Sequence, residues 1–207
     1  MNHRIRHLIF IRHGQSEHHV KGLTGGWTDT PLTSVGREQV AVTARRLQKW
    51  NLEQVAFYAS DLKRAAETAD IIGSKLGIRA QLLPELREIG NGVAAGLSLE
   101  AAEQIQSPEP EGADPDWRPY AGAETWREMS DRIGAALSTF DEQAATVLVV
   151  GHGNSGQALA NAWLGWCVES RMAFQFGPAS VSEFRINQWG EREMVHINLR
   201  FDTGLTD

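Results

Sequence analysis

The stretch HLIFIRHG, residues 7–14, decides how the rest of the chain is read. Its first five residues, HLIFI (7–11), are rich in strand formers and fit a short buried strand. Arg12, His13 and Gly14 follow at once, so polar chemistry begins where the apolar run stops. A second stretch, TVLVVGHG (146–153), repeats the pattern far downstream and sets His152 between Gly151 and Gly153. Two such strands, each releasing a histidine at its carboxyl end, suggest an open α/β sheet in which ligands gather along that edge.

Working outward, strands and helical patterns alternate. Apolar positions at helical spacing predict a helix from Val35 to Trp50, capped by Thr33 or Ser34. VAFYAS (55–60) predicts a second strand, and the segment 61–77 a helix capped by Ser60 or Asp61 and stopped by Gly77. IRAQLLPEL (78–86) reads as a third strand and SLEAAEQIQ (98–106) as a short helix. Residues 107–124 hold four prolines and read as a loop or lid, followed by a long helix over 124–143. After the strand at 146–151 comes a helix over 154–165, then SVSEFRI (180–186) and REMVHINL (192–199) flanking a turn, a terminal hairpin. This order predicts a three-layer α/β/α sandwich around a mostly parallel central sheet.

The length of 207 residues suggests one domain spanning 1–207, with the Pro-rich lid or insertion around 98–128. A net charge of -6 weighs against nucleic-acid and anionic-membrane partners, which reward a basic face. No apolar run approaches the ~20 residues of a spanning helix, and the opening residues fit a first strand better than a secretory signal. The single Cys167 excludes an internal disulfide framework, which makes a reducing, cytoplasmic setting the default.

A third strand end completes the chemistry. Arg64 lies one turn into the helix after the second strand, so Arg12, His13, Arg64 and His152 are expected to converge at one sheet edge. That set suits a phosphate dianion. Guanidinium forks match phosphoryl oxygens, and the glycines Gly14 and Gly153 beside the histidines allow close backbone approach. Amides entering the next helix add donors. Each residue alone has a plainer reading: His13 as a strand-end hydrogen-bonding residue, Arg64 as a solvated partner of Glu67, Glu88 as a surface carboxylate. Convergence of several such groups favours the site.

Five segments, LIFIRHGQSE, GGWTDTPLTSVGREQV, ASDLKRAAETA, LREIGNG and VVGHGNSG, resemble the histidine phosphatase superfamily, in its phosphoglycerate-mutase-like branch. The likeness covers residue 7 to about 165, and FGPASVSEFRI (176–186) resembles the family's terminal hairpin. The resemblance implies that His13 is the nucleophile, forming a phosphohistidine, with Arg12, Arg64 and His152 on the phosphoryl oxygens. It implies that Glu88 is the acid and then the base, a role that wants a raised pKa; Glu85 competes for that role. No metal and no cofactor are needed, because two guanidiniums carry the positive charge. The implied function is a metal-independent phosphomonoesterase acting on a small phosphorylated metabolite. A phosphoglycerate mutase using the same phosphohistidine and a non-catalytic phosphate-binding module are the alternatives.

The chain departs from the family's pattern at three points. His19 stands where the family often has asparagine, Gly25 where many members have a hydroxyl residue, and GVAAG (92–96) replaces GxWEG. His19, Thr24 and Gly25 are therefore placed on the substrate rim, with His18 and His19 read as loop residues facing different ways. Trp117 and Trp126 are expected to wall the pocket from the lid, and Trp50, Trp163 and Trp166 to serve helix ends or core. His3, His7 and His196 are assigned no part in catalysis. Arg118 and Arg127 are the candidates for extra cations that a mutase would need. The partner is a small phosphate ester; a homodimer is left open.

Overall fold

The computed structural model describes residues 5–201. One sheet holds β1 (His7–Arg12), β2 (Val55–Ala59), β3 (Gln81–Leu82), β4 (Thr146–Gly151), β5 (Val181–Ile186) and β6 (Arg192–Leu199), in the order β3-β2-β4-β1-β5-β6. The four strands β1, β4, β2 and β3 run parallel, and the hairpin β5–β6 closes one side antiparallel. The helices are α1 (Glu17–Val20), α2 (Ser34–Leu47), α3 (Lys63–Leu76), α4 (Leu99–Glu103), α5 (Trp126–Leu137) and α6 (Gly153–Leu164).

Alternation along the central strands sends side chains to two separate cores. Ile9, Ile11, Leu148 and Val150 pack with Val40 and Leu47 of α2 and Ala65 and Ile72 of α3. Leu8, Phe10, Val147 and Val149 pack on the other face with Met129 and Ile133 of α5 and Leu159 and Trp163 of α6. The three-layer sandwich is therefore the observed architecture. Both central strands are buried on both faces, which explains their unbroken apolar runs. Each such side chain contributes about 1.5–3 kcal/mol by leaving water. Gly156 lets α6 lie close over β1, since a methyl group there would run into the Phe10 ring.

Register positions the chemistry. Arg12 pairs with Gly151 across β1 and β4, and the His13 amide donates to the Gly151 carbonyl (3.0 Å). His13 and His152 thus leave the sheet side by side.

Several local expectations change. The helix after β2 starts at Lys63 with Leu62 as its N-cap, and neither Ser60 nor Asp61 caps it. The third strand shrinks to Gln81–Leu82, because Pro84 opens a 3-10 turn over Pro84–Leu86. The long helix is Trp126–Leu137, started by a capping box between Thr125 and Glu128. Thr33 caps α2 through the Gly36 amide (2.9 Å), and Gly77 ends α3 at φ 72. α1, within a segment read as loop, is a four-residue helix entered from Ser16. Among the described residues no helix is long and apolar enough to cross a membrane.

Candidate active site

A cavity of about 400 Å³ opens at the carboxyl edge of β1, β2 and β4, lined by Arg12, His13, Arg64 and Glu88 among others. His152 borders it from β4, its ring 5.0 Å from that of His13 in an edge-on arrangement. Arg12, His13, Arg64 and His152 converge as expected, and Glu88 joins them.

His13 is 2% exposed. Its Nδ1 lies 2.7 Å from the Gly14 carbonyl, and a carbonyl can only accept, so Nδ1 carries the proton. Arg64 Nε–H donates to Nε2 (3.2 Å), which a guanidinium can do only if Nε2 presents a lone pair. Burial, then His152, Arg64 and Arg12, push the His13 pKa well below the ordinary 6.5. The ring is neutral, with its lone pair on Nε2.

Arg64 is buried at 1% exposure. Besides His13 it donates to the Thr28 and Gly26 carbonyls, both at 2.7 Å. The loop before α2 thus fixes the fork in place. Burial lowers its pKa to about 10, which leaves it charged near neutrality. Arg12 donates to the Phe176 carbonyl (2.5 Å) and to His19 Nε2 (3.2 Å), while its Nε is buried with no protein partner.

His152 has Nε2 2.9 Å from Ser60 Oγ. That hydroxyl also accepts the Leu62 amide (3.3 Å). His152 Nδ1 is buried without a protein partner. Burial, Arg64 and Arg12 lower the His152 pKa well below 6.5. Ser60, missed as a site residue, is where its capping role failed.

Glu88 accepts the amides of Ile89 (2.9 Å), Asn154 (3.0 Å) and Ser155 (2.9 Å). It therefore occupies the first turn of α6, where the sequence reading had placed amides free for phosphate. Trp27 Nε1 donates to the Glu88 carbonyl (2.7 Å), and Arg132 clamps the same segment through the Glu85 and Arg87 carbonyls. Trp27 and Arg132 are supports the sequence did not disclose. Of the two candidate carboxylates, Glu88 lines the cavity and Glu85 does not.

The rim assignments divide. His19 and Gly25 line the cavity, and so does His18. The two adjacent histidine rings lie 4.1 Å apart, because α1 turns both inward. Ser16 Oγ sits 2.9 Å from His18 Nδ1, and burial with His19 and the two arginines lowers the His18 pKa to about 3. Thr24 is a correction: its hydroxyl donates to the Ala94 carbonyl (2.6 Å) and accepts from Asn91 Nδ2 (3.2 Å), away from the cavity. Gly14 is another, since it packs against α2, where a Cβ would come 2.5 Å from the Gly36 carbonyl. Gly153 opens α6 beside the Glu88 carboxylate.

Neither Trp117 nor Trp126 walls this cavity. Trp117 bonds the Pro108 carbonyl (2.9 Å), and Trp126, under Arg171, lines a separate cavity of about 280 Å³ beside α5 and α6. Arg118 pairs with Glu128 (2.7 Å), and Arg127 with Asp116 (2.7 Å) and Glu169 (2.6 Å), all away from the site. His7 bonds Thr146 and Glu183, and His196 lies near Trp50 and Glu183. His3 lies outside the described residues.

Residues 8–199 match the family described as histidine phosphatase superfamily (branch 1). A curated relative, the probable phosphoglycerate mutase GpmB of Salmonella choleraesuis (strain SC-B67), is 27% identical over 197 residues, 88% of this chain and 86% of its own. A solved mycobacterial glucosyl-3-phosphoglycerate phosphatase, complexed with VO3, superposes with a TM-score of 0.77 at 28% identity, covering 94% of this chain and 99% of its own. The α-ribazole phosphatase from Shigella flexneri gives a TM-score of 0.74 at 25% identity over 93% of this chain and 96% of its own. With the family match running through all six strands of the sheet, the chain belongs to the histidine phosphatase superfamily, branch 1.

Proposed function

We propose that the protein is a metal-independent phosphomonoesterase that works through a phosphohistidine on His13. The observation that carries this reading is the His13 tautomer: Nδ1–H is held by the Gly14 carbonyl, so the lone pair sits on Nε2 within the cavity. Nε2 attacks phosphorus, and the bond from phosphorus to the ester oxygen breaks. Glu88, in its protonated form, gives that oxygen a proton. Water then attacks the phosphohistidine and Glu88 takes its proton. The P–N bond breaks, releasing phosphate and restoring the lone pair. Arg12, Arg64 and His152 hold the phosphoryl oxygens and meet the charge that builds in the transition state. Two buried polar atoms without protein partners, Arg12 Nε and His152 Nδ1, support this assignment.

Hydrolysis is favoured over phosphoryl transfer between positions of one substrate. A mutase must hold a second anionic group, yet Arg118 and Arg127 are both committed to carboxylates elsewhere. Acid quench with ³²P-labelled ester traps label on His13. His13→Ala abolishes the label and lowers kcat by about 10⁴-fold or more, and activity survives chelator. Full turnover by His13→Ala, or rapid interconversion of 3-phosphoglycerate with little free phosphate, contradicts the reading.

A further inference from the structure

Above its polar floor the cavity changes character. Leu23 and Leu99 form its outer wall, together with Gly25, Gly26 and Asn154. The two leucines are brought together by an antiparallel bridge between Leu23 and Ser98, and the Leu99 amide donates to the Gly22 carbonyl (3.0 Å). Leu99 opens α4 with 62% of its surface exposed and lines the cavity beside Leu23, so the pair offers apolar surface to a bound substrate.

The charges around this wall are equally telling. Among the described residues, Arg12 and Arg64 are the only cations lining the cavity, and the proposed phosphoryl contacts use both. Glu88 is the only carboxylate among the described lining residues. Nearby cations are already paired: Lys21 with Glu17 (2.6 Å), Lys63 with Asp29 (3.5 Å) and Arg87 with Asp61 (2.6 Å). His18 on the wall is neutral, its pKa pushed down to about 3 by burial and its cationic neighbours. A second anion on the substrate would meet no further cation among the described lining residues and would face Glu88.

We infer that the substrate is a monophosphate ester of an uncharged, largely apolar alcohol whose carbon surface lies on Leu23 and Leu99. Esters whose alcohol carries a carboxylate or a second phosphate are poor substrates. This inference rests on the phosphatase reading of the floor.

The test compares kcat/KM for benzyl phosphate, glycerol 3-phosphate and 3-phosphoglycerate, whose leaving alcohols are of similar acidity. Benzyl phosphate should exceed 3-phosphoglycerate by about tenfold or more, with glycerol 3-phosphate between them. Leu99→Lys, at an exposed position that does not carry the core, should narrow the ratio at least about threefold by improving 3-phosphoglycerate. Equal or better use of 3-phosphoglycerate by the wild type overturns the inference while leaving the phosphatase standing, and so does an unchanged ratio in Leu99→Lys. Failure to turn over any of the three, with no label on His13, overturns the phosphatase reading and this inference with it.

Discussion

At the floor of the cavity Arg64 is almost wholly buried and its guanidinium makes three hydrogen bonds, to His13, Thr28 and Gly26. At the rim Leu99 stands mostly in solvent on a five-residue helix. The floor is built from the ends of β1, β2 and β4, and each of its side chains is held by contacts from distant parts of the chain. The rim is built from short helices and irregular segments, which meet the floor through the Arg64 bonds to Gly26 and Thr28 and the Arg12 bond to His19. The difference teaches where chemistry and specificity reside. Groups that must be placed to a fraction of an ångström hang from the sheet, while groups that choose among substrates sit on elements that can change without disturbing it.

The sharpest way to break this contrast is at Glu88, which hangs from the floor and, in the proposed mechanism, faces the leaving group. Glu88→Gln should cut hydrolysis of alkyl monoesters by about 10²–10⁴-fold. The phosphorylation step, read as a burst of alcohol, should suffer less with p-nitrophenyl phosphate, whose phenolate departs without a proton. Equal losses with both esters would remove Glu88 as the acid.

A methyl group at the floor comes next. Gly14→Ala would press its Cβ to 2.5 Å from the Gly36 carbonyl, a backbone atom with little room to yield. A loss of about 1–3 kcal/mol is expected by denaturant melts, with reduced turnover because His13 is the preceding residue. Wild-type stability in Gly14→Ala would mean that α2 is free to shift, and the floor would be softer than its hydrogen bonds imply.

The floor should also respond to acid. His13 and His152 have pKa values lowered well below 6.5, mainly by burial, so the unfolded chain binds more protons than the folded one once pH falls under about 6.5. Their contribution is complete above that pH and is lost as pH falls, by up to about 1.4 kcal/mol per pH unit for each ring. Thermal melts should plateau from about pH 8 to 6.5 and decline by 5.5. A melting temperature that holds or rises at 5.5 would show these rings charging at no cost in the fold.

The smallest effect belongs to the rim. Leu99→Ala should change stability by less than about 0.5 kcal/mol, measured by the same melts, because the side chain already stands mostly in water. A larger loss would tie α4 into the core and weaken the contrast between the two regions.

Much of the floor was legible in the chain. Arg12, His13 and His152 follow apolar runs whose burial on both faces leaves no doubt about where the strands stop, and Arg64 follows β2 at helical spacing. The rim was harder. Ser16 begins a helix too short to show any periodicity, so the shared inward turn of His18 and His19 had no signal. Thr24 looked like a phosphate contact because its type suits one, yet its hydroxyl is satisfied by Ala94 and Asn91, some seventy residues away along the chain. Ser60 looked like a helix cap for the same kind of reason, and its hydroxyl turned instead to His152.

By itself the sequence determined the layers, the order of the elements and the identities of the groups at the sheet edge, because burial and periodicity are written locally in residue type. Only the tertiary structure decided which nitrogen of His13 holds a proton, that Glu88 takes up the first turn of α6, and that Leu23 and Leu99 meet on the cavity's outer wall. Those outcomes depend on which donors and acceptors meet across long stretches of chain, and a hydrogen bond's partner is a matter of geometry in space rather than of position along the backbone.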